Sequence, residues 1–143
     1  MSSFKLFDIA GSGMAAQSVR LNTVASNLAN AESVSGTAAG AYKAKHPVFE
    51  AVKASMQAAS AGGGVDPSAA VKVTSIMEDT RAPEMRYQPG NPLANAEGYV
   101  FAPNVNVVEE MVDMISASRA YQNNVEVMNT SKDLLMATLR MGQ

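Results

Sequence analysis

His46 is the one histidine in a chain of 143 residues, so a Ser/His/Asp relay or an imidazole-bound metal would have to use it. It stands directly before Pro47 in a stretch without apolar pattern, which reads as a solvent-facing loop. Gly11-Ser12-Gly13-Met14-Ala15-Ala16 has the G-x-G-x-x-A spacing of a dinucleotide loop, and Glu32 follows at a distance suited to a ribose-binding acid. That chemistry needs a buried strand before the loop and further βαβ units after it. Phe4-Lys5-Leu6-Phe7 is short and charged, and no βαβ pattern follows. The glycines are instead expected to loosen the start of a helix. Gly62-Gly63-Gly64 lacks the Lys-Ser/Thr of a phosphate loop and reads as a linker. Glu109, Glu110 and Asp113 have the makings of an acid/base pair or a divalent-cation site. In the first turn of a helix they serve more simply by complementing the positive end of its dipole. No catalytic, metal-ligating or cofactor-binding residue is expected, and no cofactor.

The strongest pattern lies in the elements at the two ends. Val107, Met114, Tyr121, Met128 and Leu135 recur every seven residues near the C-terminus. Met111, Val125 and Leu139 occupy companion positions, interrupted by Ser118 and Lys132. Phe7, Met14, Leu21 and Leu28 repeat the period at the N-terminus. Such stripes are buried against another helix or left in water at a cost. Met111, Met114, Met128, Met136 and Met141 suit an adaptable groove as well, but at heptad spacing the packing reading prevails.

Composition narrows the classes. Leu, Ile, Val and Phe together supply 29 residues, about 20% of the chain and near the edge of disorder. A self-sufficient packed core is not expected; partial order completed on assembly is. The net charge is −2, with scattered Lys and Arg, so there is no basic face for nucleic acid and no polybasic membrane patch. Cysteine is absent, which removes disulfides, thiolate nucleophiles and cysteine-ligated metals. Lys5 and Asp8 break the apolar run Phe4–Ile9, so no cleavable signal peptide is expected, and no direct membrane span is present.

The expected fold class is mainly α, with N- and C-terminal helices paired as a coiled coil and a small β-containing middle segment. Residues of about 8–31 read as one helix with Ser12 near its start. Val71–Met77 alternates like a strand, with Met85–Gln88 as its expected partner across a turn at Pro83. Gly98–Phe101 is a second short extended segment. Pro103-Asn104 then leads into a long helix that runs to about Met141 without Gly or Pro. The expected organisation is a helical core from 1–33 and 104–143, and an insertion over 34–103 with a flexible Gly-rich tip near 58–70.

Two segments carry a resemblance. Ala25-Ser26-Asn27-Leu28-Ala29-Asn30 resembles the Asn-x-Ala-Asn signature of bacterial flagellar rod and hook proteins. Pro103-Asn104-Val105-Asn106-Val107-Val108-Glu109-Glu110-Met111, continuing through Ser118–Thr130, resembles their C-terminal signature. The spacer between Asn30 and Tyr42-Lys43, the Gly98-Tyr99-Val100 segment and the ending Thr138–Gln143 are similar to the proximal rod protein C subgroup. The spacer departs from the compact Asn-Ala-Asn-x-x-Thr-x-Gly-Tyr continuation of the wider family.

The resemblance implies a non-enzymatic block of the hollow periplasmic rod in the flagellar basal body. Its implied partners are copies of itself, other rod proteins, the rod-base adaptor, the inner-membrane ring and the flagellar type III export apparatus, through which it leaves without signal cleavage. Phe7, Met14, Leu21 and Leu28 are then expected to face Val107, Met114, Tyr121, Met128 and Leu135 within the subunit. Subunit contacts are expected from Asn27, Asn30, Met111, Arg119, Asn123, Asn124, Val125 and Leu139, the asparagines fixing register. Two alternatives compete: a cytoplasmic coiled-coil adaptor, and a dinucleotide binder built on Gly11–Ala16.

Overall fold

The computed structural model describes residues 3–53 and 69–141. Along them run α1 (Ser3–Asn30), β1 (Lys45–Lys53), β2 (Ala69–Glu78), β3 (Glu84–Tyr87), β4 (Tyr99–Ala102) and α2 (Val107–Met141). The chain is mainly helical with a small β part. Most of the glycine-rich tip expected near 58–70 lies outside the described residues.

Alanine-rich and free of proline, α1 runs for 28 residues. It begins at Ser3 rather than near Ser12, so Gly11–Ala16 is helix interior. That segment forms no strand–turn–helix, and its backbone offers no free N–H groups to a pyrophosphate. The end of α1 satisfies its own carbonyls: Ala31 N donates to Leu28 O, while Ser33 N and Oγ both donate to Asn30 O. Asn30 Nδ2 turns back to Ser26 O. At the other end of the chain Asn106 caps α2, its Oδ1 accepting from Val108 N and its carbonyl from Glu110 N. Without Gly or Pro, α2 then continues for 35 residues, about 52 Å.

Two antiparallel two-stranded sheets fill the middle, β1 with β2 and β3 with β4. This corrects the expected pairing of Val71–Met77 with Met85–Gln88. Lys45 lies opposite Glu78 and Lys53 opposite Ala69, with a bulge between Val48 and Phe49. A ten-residue strand needs a partner of its own length, and β3 has only four residues. The His46-Pro47 segment, expected as loop, is strand β1. Its proline is tolerated because a two-stranded sheet is all edge.

Strand β3 is tied instead to β4, by the turn in which Gln88 N donates to Gly98 O and Gly98 N to Asn95 O. Gly98 has φ +85°, and a Cβ there would come within 2.9 Å of the Tyr87 ring. Tyr87 and Tyr99 meet edge-on, ring centroids 5.2 Å apart. Ser35 bridges to Phe101 through paired backbone bonds of 2.9 and 2.8 Å, which draws the spacer after α1 onto β4.

The core is made of small side chains. Of the nine buried hydrophobic residues among those described, seven are alanines (10, 16, 31, 41, 44, 102 and 117), with Val24 and Val100 the others. Thr23, Asn27, Glu110 and Ser131 are buried among them. Small residues let helices approach closely but bury little apolar area each, so the core supplies little hydrophobic free energy.

Candidate functional site: a buried hub between the terminal helices

The helices α1 and α2 run antiparallel, as their cross-contacts require. Asn27 meets Glu110, Arg20 meets Asp113, and Gly13 meets Asn124, so numbers fall on α1 as they rise on α2. Farther along, Leu6 shares a shallow groove with Asn123, Val127, Ser131 and Leu134. Leu6, Gly13, Arg20 and Asn27 are spaced by seven, so one line of α1 follows α2 for most of its length.

At the end of that line Asn27 is 0% exposed and uses every hydrogen-bonding position of its side chain. Its Nδ2 donates to Lys45 O and Glu110 Oε1, each at 2.9 Å. Its Oδ1 accepts from Lys45 N at 2.9 Å and from the Tyr42 hydroxyl at 3.0 Å. One amide thus joins α1, the chain entering β1, and the first turn of α2. Tyr42 is held in turn by Ser26 Oγ at 3.2 Å, and the Lys45 ammonium lies 5.7 Å from the Tyr42 ring centroid.

A second asparagine closes the far side. Asn104 Oδ1 accepts from Ala44 N at 2.8 Å and its Nδ2 donates to Arg81 O at 2.9 Å. Asp79 N donates to Ala44 O at 2.7 Å. The Asp79 carboxylate takes Arg81 Nε and NH2 at 2.7 Å each, with His46 Nε2 at 3.9 Å. Hydrogen bonds from the Arg81 side chain and backbone hold the Asp79 carboxyl below its ordinary value, and the same pairing raises Arg81.

Glu110 is the exposed-looking acid that the fold buries, at 5% exposure. Burial pushes its carboxyl above the ordinary range, against the opposing pull of the Asn27 donor and His46; Asp113 and Glu109 add to the upward push. The acidic cluster is therefore split. Asp113 bonds Arg20 NH2 at 2.7 Å, and Glu109 stays at the surface. Among the described residues, no group of three or more His, Cys, Asp or Glu is arranged to hold a metal ion.

The other expected contact residues fall as follows. Phe7, Met14, Leu21 and Leu28 are half-buried, one position on from the line that meets α2. On α2, Met114, Met128 and Leu135 are half-buried, while Val107 and Tyr121 are exposed. Asn27 is wholly inside the chain, bonded to its own residues. Asn30, Asn124 and Val125 are half-buried, and Met111, Arg119, Asn123 and Leu139 are exposed. The buried α2 positions Glu110, Ala117 and Ser131, with Asn124 that faces Gly13, also repeat by seven, three residues on from Val107, Met114, Tyr121 and Met128.

Residues 7–36 match the family described as "Flagella basal body rod protein", and residues 96–141 match "Flagellar basal body rod FlgEFG protein C-terminal". Over its full length the chain is 52% identical to the flagellar basal-body rod protein FlgC of Salmonella typhimurium, covering all of both chains. It is 51% identical to FlgC of Escherichia coli O157:H7 and 36% identical to FlgC of Bacillus subtilis, again with full coverage of both. The chain belongs to the FlgC family of flagellar basal-body rod proteins. Within this FlgC-family chain the two matched segments are the two arms of the hub. The first contains Asn27, the second contains Asn104 and Glu110, and the unmatched stretch between them supplies Tyr42, Lys45 and Asp79.

Sequence reasoning missed Glu110, Tyr42 and Asp79 as hub members. In the sequence Glu110 reads as one of three acids, with Glu109 and Asp113, that complement the start of a helix, and its residue type gives no sign of burial.

Proposed function

We infer that the chain is a structural subunit of the bacterial flagellar basal-body rod. The observation that carries this is its full-length identity to FlgC proteins. The surface of α2 supports it. Val108, Met111, Val112 and Ile115 follow i, i+3, i+4, i+7 spacing and are each at least half exposed, at 69%, 52%, 61% and 54%. A helical apolar face left open by its own subunit suits contact with another chain.

In this reading the subunit assembles helically, in the proximal rod, with copies of itself and other rod proteins. Heterologous contacts repeated with a rotation and a rise build a tube rather than a closed ring. Residues 1–33 and 104–143 form the rod core, and 34–103 decorate it. Within the subunit, Phe7, Met14, Leu21, Leu28, Met114, Met128 and Leu135 complete a coiled-coil-like packing around the Gly13–Arg20–Asn27 line, with Val107 and Tyr121 at its margin. Met111, Arg119, Asn123, Val125 and Leu139 meet neighbours, with Asn30 and Asn124 at the edge of those contacts.

The rod base adaptor and inner-membrane ring lie below it, and the subunit reaches the periplasm through the flagellar type III apparatus without signal cleavage. A core of alanines suits a chain that is threaded unfolded. The protein does this work without catalysis or a cofactor. No described helix is long and apolar enough to cross a membrane.

A Met111→Asp, Leu139→Asp variant tests the reading, because both side chains are exposed in the subunit. It is expected to be exported at wild-type levels, to be missing from purified basal bodies, and to leave cells non-motile. Normal swimming overturns the assignment of that face. Retention of the wild-type chain in the soluble cytoplasm favours the adaptor alternative.

A further inference from the structure

We propose that Glu110 is a proton-operated latch: the terminal helices close on its neutral acid and loosen when it ionises. The geometry is specific. Glu110 is 5% exposed, and its Oε1 accepts from Asn27 Nδ2 at 2.9 Å. Its Oε2 is buried and makes no hydrogen bond with any described residue. Asn27 has no capacity left to help, since its other three positions serve Lys45 N, Lys45 O and the Tyr42 hydroxyl.

The neighbouring cations are engaged with other partners, and of them His46 still draws the Glu110 carboxyl down against the larger effect of burial. From α1, Arg20 bonds Asp113 at 2.7 Å. From β1, His46 faces Asp79 at 3.9 Å and the Lys45 ammonium lies over Tyr42. From α2 itself come Glu109 and Asp113, both acids, whose charge adds to the cost of ionising Glu110. A buried carboxylate with one oxygen unpaired is far more expensive than the neutral acid in the same place. In the neutral form Oε1 is the carbonyl oxygen that accepts from Asn27, and the proton sits on Oε2.

The sign follows from linkage. Burial raises the folded carboxyl above its unfolded value, so folding takes up a proton. The stabilisation is complete below the unfolded value and is lost as pH rises through the folded one. Between the two values the folding equilibrium falls by up to about tenfold per pH unit. The latch is a property of the single chain and does not depend on rod assembly, so its failure leaves the rod reading untouched.

The test uses the full chain and Glu110→Gln, which keeps the acceptor for Asn27 and removes the titration. Urea midpoints by circular dichroism are measured from pH 4.5 to 8. The wild-type midpoint is expected to fall relative to that of Glu110→Gln as pH rises, the two curves approaching each other at the acid end. Parallel curves overturn the proposal, as does a wild type that gains on the variant with rising pH, which marks a carboxylate held charged. A pH dependence that persists unchanged in Glu110→Gln assigns it to His46 or another group and also overturns it. A lack of cooperative helix signal in both proteins at every pH overturns it too, since a latch must close the isolated chain. Glu110→Leu is the control for shape: it is expected to leave Asn27 Nδ2 short of an acceptor and to be less stable than Glu110→Gln at every pH.

Discussion

Gly13 lies so near Asn124 that a Cβ on the glycine would sit 2.8 Å from Asn124 Nδ2. The two helices therefore approach closely at their middle, and a glycine inside a long helix is explained by what faces it. Glycine there costs α1 about 1 kcal/mol against alanine in helix propensity, a cost offset by the close approach.

Two substitutions at Gly13 separate these effects. The atom in the way is the end of a flexible side chain, so Gly13→Ala is expected to rotate Asn124 aside and change stability by less than about 1 kcal/mol. Gly13→Leu has no such escape and is expected to cost about 2–3 kcal/mol or to part the helices. Chemical denaturation of the two variants measures the difference. Equal stability of the leucine variant and the wild type would contradict a close contact at this position.

Asn27 makes four side-chain hydrogen bonds. Truncating it in Asn27→Ala leaves Lys45 N, Lys45 O and Glu110 Oε1 without their partner, and the expected loss is about 3 kcal/mol or more. Asn27→Asp is expected to be at least as damaging, because it keeps the acceptor for Lys45 N but puts an acceptor oxygen where Lys45 O and Glu110 Oε1 need a donor. Hydrogen exchange of the Lys45 amide is the most local readout. An unchanged protection of that amide in Asn27→Ala would contradict the hub.

The long helices were legible because Ala is frequent in one, Gly and Pro are absent from the other, and both carry seven-residue periods. Their facing line was not. The eye follows large apolar side chains such as Met14 and Leu21, whereas the line between the helices holds Gly13 and the buried Ala117 and Ser131, which are small and give little hydropathy signal. Strand β2 was legible from its alternation. Its true partner was hidden by Lys45-His46-Pro47, which lacks an apolar pattern and contains a residue poor for strands. Among the signature asparagines, Asn27 turns inward rather than to a neighbouring subunit. Asn27 spends its side chain within the subunit, a fact that needs the positions of Tyr42, Lys45 and Glu110 together.

The hub closes the subunit and leaves one face of α2 for its neighbours. The chain has no cysteine, so a single introduced thiol reports without background. Met111→Cys places it on the exposed face. The measurement is the rate of maleimide labelling of that thiol in the free full-length chain and in isolated basal bodies. Rapid labelling is expected in the free chain and strong protection in the rod. Equal rates in both would show that this face stays open to water after assembly and would contradict the claim.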